Sequence, residues 1–448
     1  MTPGVIQLGT RTAPAAALPS SKNLPPRTPR SPRKNGLSFF SKCTDPILRS
    51  LSRETTSGRF IPEMDGLRFV AIAMVVLFHL NGYLIAKATF YGHASTTQTD
   101  WLRRAALVGL HGVELFFVIS GFILALPFAA HHLSGTPAVS LRKYYLRRLT
   151  RLEPPYFVTI FLLLALGLLA GRGSASAILP HLAASLVYLH NLIYGSQSTV
   201  LGVAWSLEIE VQFYLLVPLL TLVFAIRSLR LRRSVLIGLT LATLAAQTMF
   251  VPHHPRVALS ILAYLQFFLI GFLIADLFLN NWKNSPRRTF YWDLIALAGW
   301  PLLFFALQSK TLTHWLFPAL VFTLYCAAFR GRWINRFLCN PWITAVGGMC
   351  YSIYLIHYEV ISAVGRFTKT LGTHLPNPVY LIVQFLLVGG AIVLVCGLYF
   401  MVLEKPCMRR DWPQRLWRRA KSIGHGSPLI FTDQTKPGSS AESSESAA

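Results

Sequence analysis

Residues 64–83 read MDGLRFVAIAMVVLFHLNGY, an apolar run interrupted by Arg68 and His79. Its length suits one transmembrane helix, which needs about 20 predominantly apolar residues. Arg68 and His79 are separated by about three helical turns, so their side chains share one face about 16 Å apart along the axis. Ionisable groups inside a span are costly, so a pair on one face indicates a functional site. The alternative is that Arg68 snorkels to the headgroups while His79 packs as a polar core group.

The composition of the whole chain is that of a membrane protein. Of its 448 residues, 53% are hydrophobic and 13% are charged, whereas soluble proteins carry about 25% charged residues. The formal net charge of +25 comes from basic residues between apolar runs, which favours contact with membrane lipids and the positive-inside rule over a nucleic-acid partner. The six cysteines have no CxxC spacing, so neither a disulfide framework nor a metal site is predicted.

Basic clusters indicate how many of the apolar stretches cross the membrane, because Lys and Arg stay on the cytoplasmic side. With the N-terminus inside, the cluster at 142–151 follows two spans and is also inside. The cluster at 227–233 is inside only if the stretch 178–194 does not cross. The apolar stretches are 66–86, 107–129, 152–170, 178–194, 206–226, 234–250, 257–279, 290–308, 313–329, 343–364 and 379–402.

We therefore predict an all-α polytopic membrane protein with about ten transmembrane helices, located in the cell (inner or plasma) membrane with both termini cytoplasmic. The stretch 178–194 is expected to be a re-entrant or interfacial helix, although its apolar centre LAASLVYL (182–189) leaves a full crossing open. One membrane domain is expected over 61–406. It lies between a disordered basic tail (1–60) and a polar cytoplasmic tail (407–448).

The second span begins HGVELFFVISGF (111–122) and places Glu114 near its outer end, at a depth similar to that of His79. A carboxylate beside an imidazole fixes the tautomer of the ring and stabilises its protonated form. Glu114 is therefore a candidate partner of His79. An interfacial Glu at a helix start, where it stabilises the helix dipole, is an equally common arrangement.

The segment YYLRRLTRLEPPYF (144–157) places Arg148 and Arg151 on one helical face at the inner surface, three residues apart. The planar guanidinium fork binds two phosphate oxygens at once, so an arginine pair suits a phosphate ligand. The positive-inside rule alone would also explain such a cluster.

Two later segments place more polar groups in the outer half of the bundle. The stretch WSLEIEVQFY (205–214) carries Trp205, Ser206 and Glu210, and VGGMCYSIYLIHYEV (346–360) carries Tyr354 and His357. A lone Trp is often an interface anchor, and a His–Tyr pair is often structural. A carboxylate in an apolar run, such as Glu210, is harder to explain by packing.

The pattern as a whole indicates a substrate with two ends. Arginines gather at the inner surface, while His79, Glu114, Glu210 and His357 come from four spans and reach the outer half. An anionic cytoplasmic end and a reacting outer end fit acyl-coenzyme A, whose phosphates would meet the arginines.

These motifs resemble the integral-membrane acyltransferase-3 family of O-antigen and glycan O-acetylases, from about residue 60 to residue 406. The resemblance places the family's essential Arg and His on Arg68 and His79. Cys350 stands where the family usually has Ser, and Glu153 stands where an aromatic residue is common. The other matching motifs are GVELFFVISG with Glu114, RRLTRLEPPY with Arg148 and Arg151, WSLEIEVQFY with Trp205, Ser206 and Glu210, and YSIYLIH with Tyr354 and His357.

The resemblance implies transfer of an acyl group, usually acetyl, from an acyl-CoA donor to a hydroxyl of a carbohydrate or lipid-linked saccharide. No bound cofactor is expected, since acyl-CoA is a substrate. Arg148 and Arg151 would bind the coenzyme A phosphates, and His79, oriented by Glu114, would act as the general base. Trp205, Ser206, Glu210, Tyr354 and His357 would line the acceptor pocket.

Three alternatives stay open on the sequence. A transient acyl-His79 intermediate would replace direct transfer within the same class of enzyme. A secondary transporter of a small anionic or acylated solute would also use intramembrane charges, although no internal repeat is apparent. A non-catalytic membrane scaffold would need none of these charged groups.

Overall fold

The computed structural model describes residues 46–54, 60–88, 90–91, 100–171, 174–306, 310–409 and 412–414. Within these ranges the chain is helical with short connections and contains no strand, which confirms the predicted all-α class. The predicted N-terminal tail lies outside the described residues up to residue 45, and the C-terminal tail does so from 415 onward.

Eighteen α-helices are numbered here along the described ranges, with short 3₁₀ and π segments extending several of them. The first nine are α1 (Pro46–Leu51), α2 (Pro62–Lys87), α3 (Asp100–Val108), α4 (Gly112–Ser134), α5 (Leu141–Leu169), α6 (Ala175–Leu186), α7 (His190–Tyr194), α8 (Trp205–Leu220) and α9 (Leu229–Phe250). The second nine are α10 (Pro255–Ala258), α11 (Leu265–Asp276), α12 (Phe290–Ala306), α13 (Lys310–Arg330), α14 (Trp333–Leu338), α15 (Pro341–Gly348), α16 (Cys350–Thr368), α17 (Asn377–Tyr399) and α18 (Lys405–Cys407).

Helix length and apolarity identify the protein as a membrane protein. Among the described residues, six helical segments are long and apolar enough to cross a bilayer, and four apolar helices are shorter. The total of ten spans stays a prediction. The six long segments are Pro62–Lys87, Arg104–Ser134, Leu141–Leu169, Gly202–Ala225, Leu229–His253 and Asn377–Cys407. The shorter ones are Ala175–Leu186, Leu265–Asn281, Phe290–Leu303 and Trp315–Arg330.

The predicted stretches 178–194 and 343–364 are each divided into two helices. The stretch 178–194 forms α6 and α7, of 12 and 5 residues, and neither is long enough to cross a hydrocarbon core of about 30 Å at about 1.5 Å per residue. This division favours the re-entrant arrangement. The stretch 343–364 is broken at Met349 between α15 and α16.

Glycines allow the central helices to approach closely. A Cβ on Gly121 of α4 would lie 2.2 Å from the carbonyl oxygen of Phe268, and one on Gly271 of α11 would lie 2.4 Å from the amide nitrogen of Phe122. Small residues bring helix backbones together in this way in membrane bundles, where packing replaces the hydrophobic effect. The α4–α11 pair is the most extensive helix contact in the described structure and forms the centre of the core.

Helix α2 carries Arg68 and His79 into the middle of the bundle. It packs against α4, α15 and α16. On the α15 side, a Cβ on Gly347 would lie 1.8 Å from the carbonyl oxygen of Asp65. This close approach holds the first turns of α2, and with them Arg68, against the break between α15 and α16.

The boundary predicted at residue 60 leaves α1 on the tail side. Lys405 Nζ donates hydrogen bonds to the carbonyl oxygens of Arg49 (2.9 Å) and Ser50 (2.6 Å). Glu54 forms an ion pair with Arg409 at 2.9 Å. The segment 46–54 is therefore bound to the end of the last long helix.

Candidate active site

The imidazoles of His79 and His357 form a pair between α2 and α16. His79 Nδ1 lies 3.0 Å from His357 Nε2 and 3.1 Å from the carbonyl oxygen of Val75. His357 is fully buried, and its Nδ1 lies 2.9 Å from each of two carbonyl oxygens, those of Ile353 and Tyr354. Each ring nitrogen in this chain of contacts therefore has a definite donor or acceptor role.

The neutral tautomers follow from these contacts, because a carbonyl oxygen only accepts hydrogen bonds. His357 Nδ1 carries a proton and donates to the two carbonyls, so its Nε2 presents a lone pair. His79 Nδ1–H donates to that lone pair and to the Val75 carbonyl. The second nitrogen of His79, Nε2, is then unprotonated and available as a base.

His79 lines an outer cavity of about 600 Å³. The ring of Tyr358 stands edge-on to the His79 ring at 5.6 Å between centroids. The cavity combines aromatic, hydroxyl, amide and carboxylate groups, a mixture suited to a polar organic ligand. Its polar and aromatic lining residues include Trp205, Gln197, Ser198, Thr199, Tyr358 and Glu359.

The three predicted arginines meet in a second, inner cavity of about 120 Å³. Arg68 comes from α2, and Arg148 and Arg151 come from α5. The buried Nε atoms of Arg148 and Arg151 have no hydrogen-bond partner among the described residues. Buried donors without a partner are costly, so they favour an anionic or carbonyl-bearing ligand in this cavity.

Asp65 holds Arg68 in place from one turn earlier on α2. Its fully buried carboxylate lies 2.5 Å from Arg68 and 2.7 Å from Arg53 Nε. Burial lowers the pKa of Arg53 to about 10, against the opposing effect of the Asp65 charge, so Arg53 remains cationic at neutral pH. A single carboxylate thus bridges two cations and orients the guanidinium of Arg68.

Arg148 is held by aromatic rings. Its guanidinium carbon lies 5.7 Å from the ring centroid of Tyr144 and 5.6 Å from that of Tyr214. Tyr144 in turn donates a hydrogen bond to the carbonyl oxygen of Tyr214 at 3.2 Å. Cation–π contacts fix the plane of the guanidinium while leaving its N–H groups free to bind a ligand.

Glu210 belongs with the arginines and not with His79. It lines the inner cavity and accepts a hydrogen bond from Ser120 of α4. Ser206 and Tyr354 line the same cavity, and their hydroxyl oxygens are 3.1 Å apart. Of the residues predicted for the acceptor pocket, Trp205 lines the cavity of His79 and His357 contacts His79 itself.

Glu114 pairs with His111 and not with His79 among the hydrogen bonds of the described residues. The distance from His111 Nδ1 to Glu114 Oε1 is 3.1 Å, and the buried Oε2 has no partner there. His357 occupies the position next to His79 that the sequence prediction gave to Glu114.

Shared lining residues show that three cavities are neighbours. Val75 and Val113 line both the inner and the outer cavity. Arg151 lines both the inner cavity and a vestibule of about 580 Å³, which also contains Lys143, Arg147 and Arg409. The inner cavity with the buried arginines therefore lies between the basic vestibule and the cavity of His79.

Several of these groups were missed by the sequence prediction. Asp65 lies in the same MDGLR segment as Arg68, three residues away, and that spacing was a usable signal. Glu359 and Tyr358 directly follow His357, but no local pattern distinguishes them from interface residues. Gln197 lies in a loop with no recognisable motif.

Comparison with known proteins gives the class. Residues 61–401 match the family model Acyl_transf_3, described as an acyltransferase domain, so the chain belongs to the acyltransferase-3 family. The chain is 27% identical over 338 residues to the Staphylococcus aureus (strain COL) protein named "Putative O-acetyltransferase SACOL0978", with 69% of this chain and 52% of that protein covered. It is 25% identical over 384 residues to the O-acetyltransferase OatA of S. aureus (strain NCTC 8325 / PS 47), with 80% and 58% covered.

The chain thus spans between half and three fifths of the length of these relatives. No solved structure matches the chain.

Proposed function

We propose that this protein is a membrane O-acetyltransferase that moves an acetyl group from acetyl-CoA to a hydroxyl of a carbohydrate or glycoconjugate. The observation that carries the proposal is the order of three neighbouring cavities: a basic vestibule, an inner cavity with the buried arginines, and a cavity lined by a histidine with an unprotonated Nε2. The family membership and the names of the staphylococcal relatives support the same reaction type.

The donor enters from the basic side. Lys143, Arg147 and Arg409 in the vestibule supply the charge that coenzyme A phosphates require. Arg151 lies at the entrance to the inner cavity, and Arg68 and Arg148 lie within it. In this arrangement the phosphates bind in the vestibule, on the proposed cytoplasmic side, and not at the predicted Arg148–Arg151 pair. The deeper arginines are left to meet the pantetheine carbonyls.

The acceptor occupies the outer cavity. Trp205 and Tyr358 offer aromatic faces, and Gln197, Thr199 and Glu359 offer hydrogen-bonding groups. Sugars bind to such a combination through their apolar C–H faces and their hydroxyls. Both termini would be cytoplasmic and the outer cavity would open toward the external side of the plasma membrane.

The reaction then needs one base. His79 Nε2 accepts the proton of the acceptor hydroxyl as its oxygen attacks the thioester carbonyl carbon. The C–S bond breaks, the ester forms, and the coenzyme A thiolate takes the proton from His79. While His79 is protonated at both nitrogens, its Nδ1–H continues to donate to His357 Nε2, so the base keeps its orientation through the cycle.

The test is acetyl transfer by the purified protein in vesicles, with radiolabelled acetyl-CoA and a cell-envelope glycan fraction as acceptor. We expect loss of about 10² to 10⁴ in rate for His79→Ala, the range typical of a lost general base. His374→Ala is the matched control, because His374 is exposed and outside the three cavities. Near-normal transfer by a folded His79→Ala variant would reject the proposal.

A further inference from the structure

The outer cavity beside His79 carries one formal charge whose role the proposed reaction does not define. Among the described residues, Glu359 is the only carboxylate that lines this cavity, and no lysine or arginine lines it. In the inner cavity and the vestibule, by contrast, arginine and lysine outnumber the acidic residues. The vestibule and the outer cavity therefore favour ligands of opposite charge.

Glu359 has no partner that would explain it as a structural residue. It is partly buried, and it makes no hydrogen bond or ion pair with another described residue. Ion pairs within a helix join residues three or four apart. On α16 those positions hold Leu355, Ile356, Ser362 and Ala363. A carboxylate that lines a cavity and lacks a partner favours a cationic ligand.

Three aromatic side chains line the same cavity, namely Phe78, Trp205 and Tyr358. Phe78 and Tyr358 stand edge-on to the His79 ring, with centroids 5.1 Å and 5.6 Å away from it. An ammonium group is attracted to the face of an aromatic ring, most strongly to that of Trp. Aromatic rings beside one carboxylate therefore suit an organic ammonium ion, whereas a bound metal ion would need several oxygen ligands.

We propose that the acceptor carries a protonated amine, as an amino sugar does, which binds beside Glu359 while a hydroxyl of the same molecule lies at His79. This rests on the proposed function and narrows its acceptor to a cationic class. The ammonium group is not itself acetylated, because it has no lone pair with which to attack the thioester. The amine orients the sugar, the hydroxyl reacts, and Glu359 determines specificity.

The same carboxylate acts against anionic ligands. An acidic saccharide would place its negative charge close to that of Glu359, and like charges brought together in a site are unfavourable. The phosphates of coenzyme A are repelled from the outer cavity for the same reason. The donor is therefore kept on the side of the arginines, and the outer cavity stays open to the acceptor.

The experiment is photo-crosslinking of the purified full-length protein in phosphatidylcholine nanodiscs, which leave both faces open to a soluble probe. The probe is a hexosamine glycoside with a diazirine on its aglycone, prepared once with a free amino group and once with that group acetylated. The two forms differ in charge and keep the same hydroxyls. We expect the free-amine form to label α16 and the loop 197–203. The N-acetylated form should label them about fivefold less, the upper range for a partly exposed ion pair.

Substitution of Glu359 tests whether its charge causes this difference. Glu359→Gln should lower labelling by the free-amine form about fivefold and leave labelling by the N-acetylated form unchanged. Glu359→Lys should reverse the preference, because it places a cation at the same position. Glu153→Gln is the matched control. Glu153 is also a partly buried carboxylate in a long helix, but it accepts a hydrogen bond from Tyr188 at 3.1 Å and lines none of the three cavities.

Equal labelling by the two forms, no labelling of these segments, or an equal loss of both labels in Glu359→Gln would overturn the proposal. The readout does not depend on catalysis. Charge-selective labelling without acetyl transfer would keep the amine site and reject the proposed function. Acetyl transfer to the glycan fraction without charge-selective labelling would keep the proposed function and reject the amine site.

Discussion

His357 donates from Nδ1 to two backbone carbonyls and receives the Nδ1–H of His79 at Nε2, across 3.0 Å. A neutral imidazole here holds the base in the way that a carboxylate usually does. Because His357 is fully buried, it offers a lone pair without placing a formal negative charge in the bundle. We regard His357 as a positioning residue for His79.

Replacement of His357 tests this role. His357→Ala removes the acceptor for His79 Nδ1–H, frees the ring to rotate, and should lower kcat about 100-fold with little change in the KM for acetyl-CoA. His357→Gln can present a side-chain oxygen at a similar position and should recover part of kcat. Steady-state kinetics of the three proteins provide the measurement. If both variants are folded, as judged by gel filtration, and lose kcat equally, His357 is only a packing residue.

The site could be predicted only in part because its pairs join distant segments. Apolar runs and charge bias located the long helices, and helical spacing placed Arg68 and His79 on one face. The contact between His79 and His357 joins residues 278 positions apart, and no local pattern encodes which helices pack together. Either His79 or His111 is chemically able to pair with Glu114. The structure pairs it with His111, which lies three residues away on the same turn.

The depth in the membrane that sequence position predicts for a residue also does not show which cavity that residue lines. Glu210 and His79 were placed at one level by counting helical rise, yet Glu210 lines the inner cavity with the arginines. Tilted and interrupted helices break the simple relation between sequence position and depth. The break at Met349 is one such interruption, with Gly347 packed on the Asp65 carbonyl just before it.

Asp65→Asn should weaken donor binding, because the amide carries no charge to orient Arg68 and balance Arg53. We expect about a tenfold rise in the KM for acetyl-CoA, equivalent to about 1.4 kcal/mol, with a smaller change in kcat. Glu63→Gln is the matched control. Glu63 also lies in the first turn of α2 and pairs with an arginine, Arg288, at 3.2 Å, but it lines none of the three cavities. Similar KM values for Asp65→Asn and wild type would contradict the orienting role.

If the vestibule binds the phosphates of coenzyme A, substitutions there should change the KM of one acetyl donor and not of another. Lys143→Gln and Arg409→Gln should raise the KM for acetyl-CoA, most strongly at low salt, since charge attraction to phosphates is screened by ions. Acetyl-pantetheine lacks the nucleotide phosphates, so its KM should hardly respond to either substitution. Arg227→Gln serves as the control, because Arg227 is exposed and outside the vestibule. An equal rise in the KM of both donors would show that the phosphates of coenzyme A bind outside the vestibule.

Substitutions of Cys350 test whether the acetyl group passes through the inner cavity. Its side chain lines that cavity together with Arg68 and Tyr354. Cys350→Ser keeps a small side chain and should retain transfer within about twofold of wild type, which would exclude an obligatory acyl-cysteine. Cys350→Phe adds a ring to a space of about 120 Å³ and should lower the transfer rate at least about tenfold. Full transfer by a folded Cys350→Phe protein would mean that the donor reaches His79 by another route.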